Sequence, residues 1–211
     1  NFINKYPKVK LRIEEYHTQE IIDHLRDGTL DAAIAATPLE EGDILEKTLY
    51  YEPFVGYIPK HHSLQNKKSL QKDDISPDDV LLLEDGHCFK NNVLNLCQSD
   101  LSITESKFNL ESGSFETLMK LSDEGLGMTL LPYLHSLNIQ GETKNNIKPF
   151  EKPQPAREVS LIYHKSELKI HIINALKDLI LSIVKGAIEF DDVEIISPIE
   201  KEKQKNQSDI A

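Results

Sequence analysis

The chain has 211 residues, 39% of them hydrophobic, enough to bury one sizeable core or two small ones. Its 35 acidic and 24 basic residues leave a net charge of −11, which argues against the chain itself tracking nucleic-acid phosphates, a task that needs a clustered basic face. The longest apolar run, Val80-Leu81-Leu82-Leu83, is strand-sized rather than membrane-spanning, and two cysteines do not make a secreted disulfide scaffold, so a cytoplasmic location is expected.

Strand and helix patterns alternate along the chain, which predicts α/β layers with mainly parallel pairing. Val9 to Ile13 alternates like a half-buried strand. Thr18 is placed to cap a helix carrying Ile21, Ile22 and Leu25 on one face, and Gly28 ends it. Asp31 to Ala36 reads as a buried strand, and Pro53 to Pro59 as another, bracketed by prolines. Val80 to Leu83 follows, then a short helix lying between the two cysteines, Cys88 and Cys97. Phe108 to Leu110 looks like a short strand. Ser114 then suits the N-cap of a helix bearing Phe115, Leu118 and Met119. Met128 to Leu131 is a strand that Pro132 stops, and Glu158 to Tyr163 is the next. A long amphipathic helix from Ile170 to Ile183 closes the pattern. The segments fall into two lobes, residues 1–54 with 160–190 and residues 55–159, with crossings near Phe54 and Val159. Residues 191–211 read as a charged, disordered tail. In such a layout a site sits in the crevice at strand carboxyl ends. Thr18, Cys88 and Ser114 each follow a strand and open a helix, so all three are candidates for it.

The cysteine pair carries the chemistry. Nine positions along a helix span about 13 Å, whereas a disulfide needs a Cα separation of about 4.4–6.8 Å. A bond between Cys88 and Cys97 therefore requires the helix between them to come apart, which is the geometry of a switch rather than a staple. Cys97, on the apolar side of Val93-Leu94-Leu96, reads equally well as an inert core residue. Cys88 sits at a helix start, where unpaired N–H groups lower a thiol pKa. His87 before it and Lys90 after it both favour thiolate, and Gly86 allows a sharp entry. A thiolate there would attack peroxide and form a sulfenic acid, open to condensation with a second thiol. No Cys-x-x-Cys pair or zinc-spaced Cys/His cluster is present, so neither a metal nor another cofactor is expected. His61-His62 and His171 read as surface residues, and Asp73-Asp74 and Asp78-Asp79 as turn residues.

Three segments resemble the effector domain of LysR-type transcriptional regulators, and within them the OxyR group of peroxide sensors. They are Leu83-Glu84-Asp85-Gly86-His87-Cys88 with Cys97 beyond it, Phe115 to Leu118 leading into Gly125-Leu126-Gly127-Met128-Thr129-Leu130-Leu131-Pro132, and Glu52-Pro53-Phe54 through His62. The resemblance spans roughly residues 1–185. It implies two Rossmann-like lobes joined by crossover strands, as in type II periplasmic binding proteins. It further implies a peroxidatic Cys88, a resolving Cys97, and a thiolate environment supplied by Thr18, His87, Lys90, Ser114 and Arg157. The partners implied are hydrogen peroxide, further copies in a homodimer or homotetramer, and a glutaredoxin- or thioredoxin-type reductant. DNA would be reached through an N-terminal winged-helix domain absent from this chain. The chain does not open on Met, and a fragment of a longer protein is expected, beginning inside the first helix of the first lobe. Lys90 stands where that group commonly has arginine, which keeps the charge and loses the planar donor fork. Two other readings remain: a LysR-type domain holding a small organic effector in the cleft, with Thr18 and Ser114 as contacts, and a thiol peroxidase. A sensor, not an enzyme, is the first expectation.

Overall fold

The computed structural model describes residues 2–83, 88–97, 114–186, 188 and 192–199, with the backbone alone at Cys88. Two strands organise everything else: β2 (Ile44–Tyr57) and β6 (Gln154–His164), which run antiparallel from Ile44 opposite His164 to Pro53 opposite Ala156. At Pro53 the partner of β2 changes. Phe54 to Tyr57 pair instead with β4 (Met128–Pro132) and, on the other side, Val55 to Tyr57 pair with β5 (Ile147–Pro149). Proline lacks an N–H, and it stands where the old ladder ends and the new one begins. The described order is β1 (Ala33–Thr37), β6, β2, β4, β3 (Val80–Leu81), with β5 on β2 and β7 (Val193–Ile195) on β6.

The first half is a sheet between two helices. The helix α2 (Thr18–Arg26) lays Ile22 and Leu25 on the face formed by Ala35, Ile44 and Ile162. The opposite face, Leu49, Leu161 and Tyr163, is covered by α6 (Ile170–Val184) through Ile173 and Ile180. A short α1 (Phe2–Lys5) buries Phe2. The second half packs α3 (Cys88–Leu96) and α4 (Phe115–Asp123) on the sheet, and Phe54, Leu70, Phe89, Leu96, Leu118, Met128 and Leu130 form its main core. The small helix α5 (Tyr133–Ser136) follows β4 directly.

Four expectations change. Pairing among the described strands is mainly antiparallel: β1–β6, β2–β6, β2–β4 and β2–β5 are antiparallel, and only β3–β4 and β6–β7 are parallel. The reason is that β2 and β6 return through both halves as long crossing strands. Val9 to Ile13 is not a strand; Leu11 and Ile13 are exposed, and no described strand pairs with the segment. An alternating pattern without a partner leaves its backbone groups to water. Thr18 is the first residue of α2 rather than its cap: His17 holds the N-cap position and donates its N–H to Glu20 Oε2 at 2.9 Å. Finally, the tail is not disordered throughout, because Val193–Ile195 form β7 and Ile196 is buried. The strand expected at Phe108 to Leu110 lies outside the described residues.

Candidate redox site

The helix between the cysteines forms as expected. Cys88 opens α3 and Cys97 follows its last residue, still donating its N–H to Val93 O at 3.1 Å. Intact, α3 holds the two residues about 13 Å apart along its axis, beyond any disulfide. Phe89, Val93 and Leu96 bury the inner side of α3 in the core of the second half. Cys97 packs partly against that core, and burial pushes its thiol up to about 11. In the closed helix Cys97 is thus a neutral thiol and a poor nucleophile. His87 and Gly86 and the side chain of Cys88 lie outside the described residues.

Around the amino-terminal end of α3 the structure builds an aromatic and ionic group. Phe89 meets Phe54 edge-on at 5.3 Å between centroids and Phe115 at 5.1 Å. The Arg157 guanidinium stands over the Phe89 ring at 5.3 Å. Arg157 also donates from Nε and Nη2 to Glu52 Oε2 at 2.9 and 2.8 Å, and the other carboxylate oxygen accepts from Leu134 N at 2.9 Å. The Glu52 side chain is 2% exposed and that of Arg157 20%. Arg157 is therefore no solvated charge at a strand end. It is fixed by a buried carboxylate and aimed at the residue next to Cys88. The pair has no net charge, so it offers the helix end directed N–H groups more than a bare field. The half-buried Lys90 supplies a cation within the first turn of α3.

Ser114 takes the N-cap position of α4, but its hydroxyl donates to Glu116 Oε2 at 2.9 Å. It is joined to the group through its neighbour, since Phe115 stacks on both Phe89 and His135. That bond, with the Glu116 backbone N–H as the larger cause, lowers the Glu116 pKa. Among the described residues no hydrogen bond ties the Thr18 hydroxyl to Arg157, whose guanidinium is taken by Glu52. The structure thus brings Arg157 and Ser114-Phe115 to the start of α3. Sequence reading missed Glu52, although a lone carboxylate within the run Leu49-Tyr50-Tyr51-Glu52-Pro53-Phe54-Val55 is a signal. It also missed Asn92, fully buried on α3.

Chemically, the arrangement offers a helix amino terminus at one cysteine, a half-buried neutral thiol at the other, and an ion-paired arginine beside the residue that follows the first. Comparison with known proteins points the same way. The chain is 30% identical over 163 residues to a probable hydrogen peroxide-inducible genes activator of Mycobacterium leprae, covering 77% of this chain and 52% of the relative. It is also 30% identical over 161 residues to the DNA-binding transcriptional dual regulator OxyR of Escherichia coli, covering 75% and 51%. The chain spans about half the length of these curated relatives. OxyR from Porphyromonas gingivalis superposes with a TM-score of 0.81 at 25% identity, covering 92% of this chain and 89% of that one. Reduced and oxidised forms of OxyR superpose at 0.73 and 0.72, with 26% and 27% identity, covering 89% of this chain and 87% and 88% of theirs. The LysR substrate binding domain matches residues 1–184, nearly the whole described fold, and the chain belongs to that family.

Proposed function

We propose that this chain is the peroxide-sensing part of a transcriptional regulator, switched by a reversible disulfide between Cys88 and Cys97. The observation that carries it is α3 itself, which holds the only two cysteines at its opposite ends, beyond bonding distance, in a chain whose relatives are named for hydrogen peroxide. The Cys88 thiolate attacks one peroxide oxygen; the O–O bond breaks, and the departing hydroxide takes a proton to become water. The resulting sulfenic acid is attacked by Cys97, the S–O bond breaks, a second water leaves, and the S–S bond forms. The second step requires α3 to open, which also frees Cys97 from the burial that keeps it protonated. Arg157, held by Glu52, and Lys90 favour the thiolate, with His87, Ser114 and Thr18 as further parts of the environment. Opening gives up helical hydrogen bonds worth about 1 kcal/mol each net, so the bond is readily reduced by a thiol reductant and the switch resets.

The division into lobes at residues 1–54 with 160–190 and 55–159 belongs to this reading. So do assembly as a homodimer or homotetramer, a cytoplasmic setting, and DNA contact through a winged-helix domain outside this chain. The test is a non-reducing peptide mass map after about one equivalent of peroxide. A Cys88–Cys97 linkage that forms rapidly, fails in Cys88→Ser and reverses with thiol is expected. Two intact thiols would leave a domain of this family with a different, organic effector, and fast steady-state peroxide turnover would make it a peroxidase.

A further inference from the structure

The segment after α6 returns to the second half of the molecule and lies against the switch helix. β7 pairs in parallel with the first residues of β6, Val193 opposite Gln154 and Ile195 opposite Ala156, and Ile196 donates its N–H to Ala156 O at 2.8 Å. Ile196 enters the same core as Phe89, Val93 and Leu96. Two asparagines of α3 then fasten it. Asn92 Nδ2 donates to Ile196 O at 2.6 Å, and Asn95 Nδ2 donates to Ser197 O and Ile199 O, each at 2.8 Å. Lys72 pairs with Glu194 of the strand. Both asparagines lie between the two cysteines, so every one of these α3 contacts depends on the helical arrangement that the disulfide must undo.

We propose that residues 192–199 are a strap on the switch: Asn92 and Asn95 position them on α3 in the dithiol form, and formation of the disulfide releases them. The proposal rests on the reading of Cys88 and Cys97 as a redox pair, and it adds the element through which their state reaches the carboxyl-terminal end of the chain. The strap opposes opening, so it sets how easily the sulfenic acid is resolved. Asn92 is buried, and its Oδ1 has no hydrogen-bond partner among the described residues, so the closed state is incompletely satisfied on its own side. An unpaired buried acceptor costs the closed form part of its stability.

Amide hydrogen exchange on the intact chain, read residue by residue, tests this. In the reduced protein Asn95→Ala and Ile196→Ala should each speed exchange at both Ile196 and Cys97 by about tenfold, the effect of one ordinary hydrogen bond or more. Acceleration at only one of the two sites would overturn the coupling. In the disulfide form the Ile196 amide should lose protection, and retained protection would overturn the release. The disulfide is made with peroxide, two thiols and one peroxide giving the bond and two waters. If peroxide leaves the thiols intact, an azodicarboxamide oxidant makes it instead by accepting the two hydrogens. The strap is then judged on the same amide while the peroxide reading fails separately.

Discussion

At the scale of single residues the decisive contact is the one between Glu52 and Arg157. Glu52 is the more deeply buried partner, so removing each side of the pair should not cost the same. Arg157→Ala strands a carboxylate at 2% exposure with the Leu134 N–H as its one remaining hydrogen-bond donor among the described residues, and should destabilise by about 3–5 kcal/mol. Glu52→Gln removes the negative charge but keeps one carbonyl oxygen to accept from a guanidinium that retains some solvent and its place over Phe89, and should cost less, about 1–3 kcal/mol. Urea unfolding of the two variants checks the order; equal losses would remove the asymmetry. Cys97 gives a pH signature. Its folded thiol sits near 11 against an ordinary value of 9.0, so the folded state binds the proton more tightly. The associated stability is present below about 9 and is lost as pH rises through about 11. The stability difference between the reduced protein and Cys97→Ala should therefore shrink over that window. Tyr57, which burial pushes up to about 12, titrates higher and is common to both.

At the scale of elements, two close approaches shape the second half. Gly127 has φ +138°, and a Cβ there would lie 2.5 Å from the backbone oxygen of Asp79. Asp79 precedes β3 directly, and its carboxylate is held by His62 Nε2 at 2.6 Å, so relieving the clash means shifting backbone. Gly127→Ala should cost at least about 2 kcal/mol from strain and clash together, and β3–β4 exchange should rise with it. A neutral substitution would mean that the turn relaxes freely. Much of this level was legible beforehand. The cysteine helix, the helix after Ser114, the strand ending at Pro132 and the long last helix all show the expected residues, because each buries one face set by its own period. What failed failed for want of partners. Val9 to Ile13 has the alternation of a strand but nothing described to pair with, and Val193–Ile195 is too short for its alternation to signal a strand yet pairs with an open stretch of β6. Pairing is a property of two segments, and neither sequence alone contains it.

For the whole molecule, β2 and β6 belong to both halves at once. A break in either removes ladder from the first half and core from the second, since Phe54 and Ile44 lie on β2 and Leu161 and Tyr163 on β6, and the two strands pair with each other. Equilibrium unfolding of the reduced chain should show a single urea midpoint whether followed at β1 or at β4 amides. Two midpoints would show the halves to be independent.

The sequence by itself determined the α/β class, the helix spanning the cysteine pair and the chemistry open to that pair, because these follow from local period, residue type and spacing along one segment; the family resemblance rested on three motifs read as they stand. Tertiary structure alone decided that pairing among the described strands is mainly antiparallel and that Arg157 answers to Glu52, 105 residues away. It also decided that the Cys97 thiol is silenced by burial and that Asn92 and Asn95 hold the returning strand β7 and Ile196 to Ile199. Burial, ion pairing and strand partnership are relations between distant segments, and their energies exist only once the chain has brought those segments together.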